Sequence, residues 1–366
     1  MIFLGIDLHS NCFTCCFIYP DSTKRKISFD LNDSSLSVFY SLLNLNTYVI
    51  IEASTNTFKF VELIRDKVKE VSVANTHKLK LISLVNKKTD KIDAEKLSIF
   101  LKMQKSSNEL LIAPVYVPEE TIQTLRGLFT TYNLIKKQIG QTKNRIHAIF
   151  KQYLYPFTKE YIFGKSSIQR IKNIKINPVI DEQIKLLFIN LEFLQNQNMN
   201  IEKNILIVGA QYYKQIDILT SMRGISVFTA IAIISDIASV DRFPNSKHFT
   251  SYLRSSPGID SSNTETHVKR TSKFGRKLSV SLLSQSLNHF RDSNDKLNNW
   301  YDKKVNIQGQ KKGKIRMALC RKVFSEIYQM LKKEEYHYWR DEVNHSKKMK
   351  IYNAFLEKNK IFLKSA

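Results

Sequence analysis

The first hundred residues alternate between short apolar runs and helical spacing. Residues 2–8 are an apolar run broken by Asp7, and residues 11–18 are a second, set off by the turn-prone His9-Ser10-Asn11. Residues 25–31 alternate enough for a third strand. Residues 34–45 read as a helix. Thr47-Tyr48-Val49-Ile50-Ile51-Glu52 is β-branched and aromatic and reads as a fourth strand ending on a carboxylate. Phe58, Val61, Leu63, Ile64 and Val68 recur at helical spacing over 57–69. Val71-Ser72-Val73-Ala74 is a short fifth strand, and residues 76–104 read as helix in two pieces. Three strands followed by alternating helices and strands predict an α/β domain with a mixed sheet.

Beyond residue 110 the pattern turns helical. Residues 119–155 and 181–216 read as two long helices, separated by a weaker stretch with Pro156, Gly164 and Pro178. Such a pair makes either an arm that carries a partner subunit or spans DNA, or a plain helical linker bundle. Leu219-Thr220-Ser221-Met222-Arg223-Gly224-Ile225 precedes an apolar helix over Val227–Ile237, where a loop closing on glycine can offer backbone N–H groups to a phosphate. Residues 341–366 read as a polar, partly frayed tail.

Charge sharpens this picture. The 366 residues carry 57 Lys and Arg against 33 Asp and Glu, a formal net charge of +24, with an ordinary hydrophobic share of 43%. A folded protein so cationic calls for a polyanion, nucleic acid first. A membrane is disfavoured: no apolar run reaches spanning length and no basic block flanks one. The start has no basic segment of a signal peptide, so the cytoplasm is the expected compartment. Cys12, Cys15 and Cys16 cluster without a second ligand pair at zinc spacing, and are read as strand core. The cations concentrate late. Lys269, Arg270, Lys273, Arg276 and Lys277 stand against Glu265 alone, and Lys311, Lys312, Lys314, Arg321 and Lys322 lie in an acid-free stretch. These ten are the expected nucleic-acid contacts.

Four acids stand out by position. Asp7 and Glu52 end the first and fourth strands, and Asp90 and Asp93 lie three apart, on one helical face. Carboxylates on separate elements supply the oxygen ligands that divalent-metal phosphoryl transfer requires. Without a cation, four neighbouring acids repel one another. Asp90 alone also fits a helix N-cap. The strings Gly5-Ile6-Asp7-Leu8-His9, Ile51-Glu52-Ala53-Ser54 and Lys88-Thr89-Asp90-Lys91-Ile92-Asp93-Ala94 resemble the RuvC-like domain of the DEDD transposases, an insertion-sequence family of bridge-RNA-guided recombinases. The resemblance implies an RNase H-like (RuvC-like) domain in which Asp7, Glu52, Asp90 and Asp93 hold Mg²⁺.

The resemblance continues to about Tyr338. Met222-Arg223-Gly224, Pro257-Gly258, Ser261-Ser262-Asn263 and Thr271-Ser272-Lys273-Phe274-Gly275 are similar to the family's C-terminal domain, with Arg321-Lys322 matching a later basic pair. It implies Ser262 as nucleophile, forming a phosphoserine link to DNA. Asn263 stands where the family has glycine, which keeps Ser261 as the alternative, and a plain polar turn is the bland reading. Lys269, Arg270, Lys273 and Arg276 would steady the transition-state charge. His9 and His267 lie near the two constellations and are read as surface or structural. Trp300, Trp339 and the tyrosines are read as core rather than base-stacking platforms.

The expected protein is thus α/β plus α. Residues 1–110 form the RuvC-like domain, 111–216 a helical arm, 217–340 a serine-bearing, mainly α-helical domain, and 341–366 the tail. The resemblance implies donor and target double-stranded DNA, a structured guide RNA and a homo-oligomer, dimer to tetramer. The rivals are a site-specific invertase using the same residues, a Holliday-junction-type nuclease using the acids alone, and a nucleic-acid-binding relic with a decayed site.

Overall fold

Five of the apolar runs form one sheet. In the computed structural model, which describes residues 1–75, 89–107, 114–164, 169, 171, 173–261, 266–271, 274–292 and 294–360, β1 (Ile2–Leu8), β2 (Cys12–Ile18), β3 (Lys24–Asp30), β4 (Thr47–Glu52) and β5 (Glu70–Ala74) lie in the order β3-β2-β1-β4-β5. The first three strands pair antiparallel, and β1, β4 and β5 pair parallel. The sheet is therefore mixed, as expected. Its edge strand β3 exposes Lys24 and Arg25, charges that discourage further pairing.

Strand alternation sends side chains to two faces. Leu4, Ile6, Phe13, Cys15, Phe17, Val49, Ile51 and Val73 pack with Phe39 of α1 (Asp33–Ser41) and with Phe60 and Ile64 of α2 (Thr57–Ile64). Phe3, Ile18, Tyr48, Ile50 and Ala74 pack with Leu97 and Leu101 of α3 (Asp90–Ser107) on the other. Cys15 and Cys16 are fully buried, as read. Of the helix expected over 76–104, the stretch from Asp90 is present, and residues 76–88 lie outside the described residues.

The chain divides into two compact units, Met1–Pro118 and Glu119–Ala366. In the second, α4 (Glu120–Gln152) and α6 (Pro178–Gly209) run side by side in opposite directions, with α5 (Lys159–Phe163) between them in sequence. Near one end of this hairpin Ile146, Ile149 and Phe150 meet Ile184, Phe188 and Leu191. At the other, Ile122, Leu125, Phe129 and Ile205 join a large core. That core surrounds α8 (Val227–Ile237), which is apolar all round and buried from Thr229 to Ile237. Around it lie α7 (Tyr213–Thr220), α9 (Ser246–Tyr252), α10 (Leu278–Gln285), α11 (Leu287–Asp292), α12 (Asp295–Asp302) and α13 (Lys312–Lys333).

Two features differ from the sequence reading. Pro257–Ser261 (β6) and Thr266–Thr271 (β7) form an antiparallel hairpin where only a turn was read, because neither run is apolar enough to signal a strand. Residues 342–358, read as tail, form helix α14, with Met349, Tyr352 and Leu356 buried in the core. Lys348 Nζ donates to the carbonyls of Thr220 and Ile225 at 2.9 Å each. The carbonyls flanking this loop are thus held by the chain's own lysine, and Ser226 caps α8 by accepting from Thr229 N at 3.1 Å. Among the described residues no helix is long and apolar enough to cross a membrane.

Candidate functional site

The parallel pairing of β1 with β4 sets the first two acids side by side. Gly5 lies opposite Ile50 and Ile6 opposite Ile51, so Asp7 and Glu52 follow at the same level of the sheet. The turn after β4 is pinned by hydrogen bonds: Thr57 Oγ1 donates to Glu52 O at 2.9 Å, and Asn56 Nδ2 reaches back to His9 O at 2.8 Å.

The helical pair arrives from the other side. A Cβ on Gly5 would stand 2.2 Å from Ala94 O and 2.5 Å from Ser98 N, so only glycine lets α3 lie this close to β1. That contact brings the start of α3 to Asp7. Thr89 precedes the helix and its Oγ1 accepts from Ile92 N at 3.4 Å, so Thr89, rather than Asp90, is the residue placed as a cap. The Asp90 carboxylate turns instead to His9, whose Nε2 lies 3.3 Å from Asp90 Oδ2 and 3.4 Å from Asp7 Oδ2. Ligand atoms of Asp7, His9 and Asp90 all fall within 4.8 Å of one another. Asp93 Oδ1 meets Lys96 Nζ at 3.5 Å.

The acids share one electrostatic field. Burial pushes the Asp7 carboxyl above its ordinary range. His9 opposes the shift, and the negative charges of Asp90, Glu52 and Asp93 add to it. A donor set of carboxylate oxygens with one imidazole suits a divalent cation, which would convert this repulsion into attraction. Sequence reading undervalued His9. The signal was its place two residues after Asp7, but only the β1–β2 turn shows that it faces Asp90 as well. Gly5→Ala is expected to force α3 off the sheet, costing about 1–3 kcal/mol. Urea unfolding checks the loss, and an unchanged midpoint would show that α3 accommodates the methyl group.

In the second unit, Ser262 and Lys273 lie outside the described residues, while Ser261 is on β6 and His267, Lys269 and Arg270 are on β7. The hairpin is held at both ends. Before it, Ser255 Oγ donates to Thr250 O at 2.8 Å. After it, Gly275 takes φ +92°, and a Cβ there would lie 2.1 Å from Tyr252 O. Arg276 N donates to the same carbonyl at 2.9 Å.

Arg276, read as a DNA contact, is committed inward through its Nε. It meets Asp236 Oδ1 at 2.7 Å, and Asp236 is fully buried. Asp236 Oδ2 accepts from Ser279 N at 2.9 Å and Ser279 Oγ at 2.7 Å, tying α8 to the first turn of α10. Arg126 of α4 donates to Ser235 O at 2.8 Å and Asp236 O at 3.1 Å. Burial, with Arg276 nearby, pushes the Arg126 guanidinium down to about 10.

Lys277, Lys311, Lys312, Lys314 and Lys322 are exposed and Arg321 is half-buried. Lys322 Nζ sits 4.9 Å from the centre of the Trp300 ring. Three of these lysines flank the start of α13, where the helix dipole already disfavours cations. A bound polyanion would relieve that clash. Trp339, read as core, is 40% exposed.

No curated protein matches the chain. Residues 216–297 match the family model described as Transposase IS116/IS110/IS902 family. The matched stretch holds Asp236, the β6–β7 hairpin, Gly275 and Arg276. It is this match, over less than a quarter of the chain, that supports an insertion-sequence transposase, with DNA as its partner and DNA cutting as its class of reaction.

Proposed function

We propose that the protein is a DNA recombinase of the transposase type, cutting and rejoining DNA through a link to Ser262 with help from a divalent-metal site in the N-terminal unit. The observation that carries the metal half is the cluster of Asp7, His9 and Asp90, whose ligand atoms lie within 4.8 Å of one another, with Glu52 and Asp93 adding to the field at Asp7. The order β3-β2-β1-β4-β5 supports an RNase H-like (RuvC-like) reading of that unit. The match over 216–297 supports the recombinase half.

Asp7, Glu52, Asp90 and Asp93 would hold Mg²⁺, with His9 beside them. Bound there, the cation supplies Lewis acidity and neutralises phosphoryl charge. The Ser262 hydroxyl attacks a phosphodiester. An Oγ–P bond forms as the P–O bond to the leaving strand breaks, and the serine proton passes to a base. The leaving strand's hydroxyl remains free to reverse the step on a new partner. A structured guide RNA, donor and target duplexes and a homo-oligomer complete the reading. Ser261 is the alternative nucleophile, and an invertase would use the same chemistry.

The nuclease reading needs only the acids, and Ser262→Ala separates it from ours. With Mg²⁺, RNA and both DNA substrates, the variant is expected to lose the covalent DNA adduct and all strand joining, read on denaturing gels. Undiminished Mg²⁺-dependent cutting by Ser262→Ala would favour the nuclease instead.

A further inference from the structure

The ten cations singled out from the sequence all lie beyond residue 268, but a second basic surface stands on the helical hairpin. From Thr121 to Lys159 the chain has no Asp or Glu and seven Lys or Arg: Arg126, Lys136, Lys137, Lys143, Arg145, Lys151 and Lys159. Arg126 is used internally, as described above. The rest follow residue 132, along the outer part of α4 and the turn after it.

Their arrangement is one-sided. Lys137, Gln141, Asn144, Arg145, Ala148 and Lys151 are all exposed, and steps of three and four residues place them on one face of α4. Lys137, Arg145 and Lys151 have no ion-pair partner among the described residues. The antiparallel helix α6 carries the opposite balance: Asp181, Glu182, Glu192 and Glu202 against Lys185 and Lys203. A solvated face of a helix ordinarily mixes signs. Here α4 carries no acid after Glu120, while four lie on α6.

The stripe has a definite size. Lys137 and Lys151 are fourteen residues apart, about 21 Å along a helix axis. That matches about six base pairs of duplex at 3.4 Å per step along one strand. The side chains between the cations on this face are neutral and polar or small. Gly140 lies on the same side, and a Cβ there would meet nothing within 4 Å, so packing does not require that glycine.

We infer that this face of α4 is a second DNA-binding surface, which takes the phosphate backbone of a duplex without reading its sequence. It is separate from the cations beyond residue 268. It depends neither on the acids of the N-terminal unit nor on Ser262. In a protein that must hold more than one duplex, it supplies a clamp away from the matched segment.

Salt dependence tests this directly. The full chain and the variant Lys137→Gln/Arg145→Gln/Lys151→Gln are titrated onto a fluorescent 30-base-pair duplex of arbitrary sequence over a range of salt. Each phosphate contact adds about 0.9 to the slope of log affinity against log salt, so the variant's slope is expected to flatten by about 2.7. Its unfolding midpoint should be unchanged, because all three side chains are exposed. The control Lys185→Gln/Lys203→Gln, on α6, should leave the slope as it was. An unchanged slope in the triple variant overturns the assignment. So does equal flattening per charge in the control, which would mark an effect of bulk charge. Flattening with an RNA hairpin but not with the DNA duplex would also overturn it, by assigning the surface to RNA.

Discussion

Replacing Asp236 by alanine is expected to cost the unit Glu119–Ala366 about 3–5 kcal/mol of folding stability. Asp236 is fully buried and accepts from Arg276 Nε, Ser279 N and Ser279 Oγ. Alanine removes all three hydrogen bonds at once. The Arg276 guanidinium loses its counter-ion, and Arg126, already pushed down by burial and by Arg276, loses a nearby carboxylate. The Ser279 donors, buried in the first turn of α10, are left unpaired. Asp236→Asn keeps the shape and one acceptor oxygen, so it should lose less. Urea unfolding of the two variants checks this, and an alanine variant within 1 kcal/mol of the asparagine variant, on the order of measurement error, would show that the retained shape and acceptor oxygen add nothing beyond the lost charge. Because Arg276 follows β7 so closely, hairpin order should fall together with stability.

Asp7→Asn is expected to have two effects of opposite sign. It should reduce strand cutting by about 10³-fold, equivalent to about 4 kcal/mol of lost charge stabilisation. It should also stabilise the metal-free fold. Burial and the neighbouring acids raise the Asp7 carboxyl, so the folded state binds its proton more tightly than the unfolded chain does. The wild-type contribution is therefore most favourable below the ordinary carboxylate range and declines as pH rises through the raised value. Asparagine cannot ionise and escapes that decline. Thermal melts in chelator across acid pH read the effect: the variant's melting point should exceed wild type at neutral pH, and the two should converge at low pH. Adding Mg²⁺ should raise the melting point of wild type and much less that of the variant. A variant less stable than wild type in chelator would mean that Asp7 holds the fold together rather than straining it.

Much of the N-terminal half was legible because its signals are local. A strand run that ends on a carboxylate can be read without knowing its neighbours, and Asp7 and Glu52 were found that way. The contact that brings α3 to Asp7 is not local. It depends on Gly5 meeting Ala94 and Ser98, about ninety residues away. His9 was underweighted for the same reason: its approach to Asp90 joins residues far apart in sequence.

The C-terminal half hid more. Asp236 stands in an apolar helix, and its partners Arg276 and Ser279 come forty residues later. Helix α14 is rich in lysine and asparagine, and its buried side chains His345, Met349, Tyr352 and Leu356 fall at steps of four, three and four. That spacing is a helix signal, but the surrounding charge masks it. The acid-free run of α4 was visible in charge alone. It was passed over because the densest cations lie elsewhere.

The most direct test of the two-part mechanism is peptide mapping of the protein after reaction with Mg²⁺, guide RNA and both DNA substrates. The expected result is a DNA phosphate on residue 262, formed by wild type and lost in Asp7→Asn. Strand cutting with no protein-linked DNA, or an adduct that forms equally well without the Asp7 carboxylate, would contradict it.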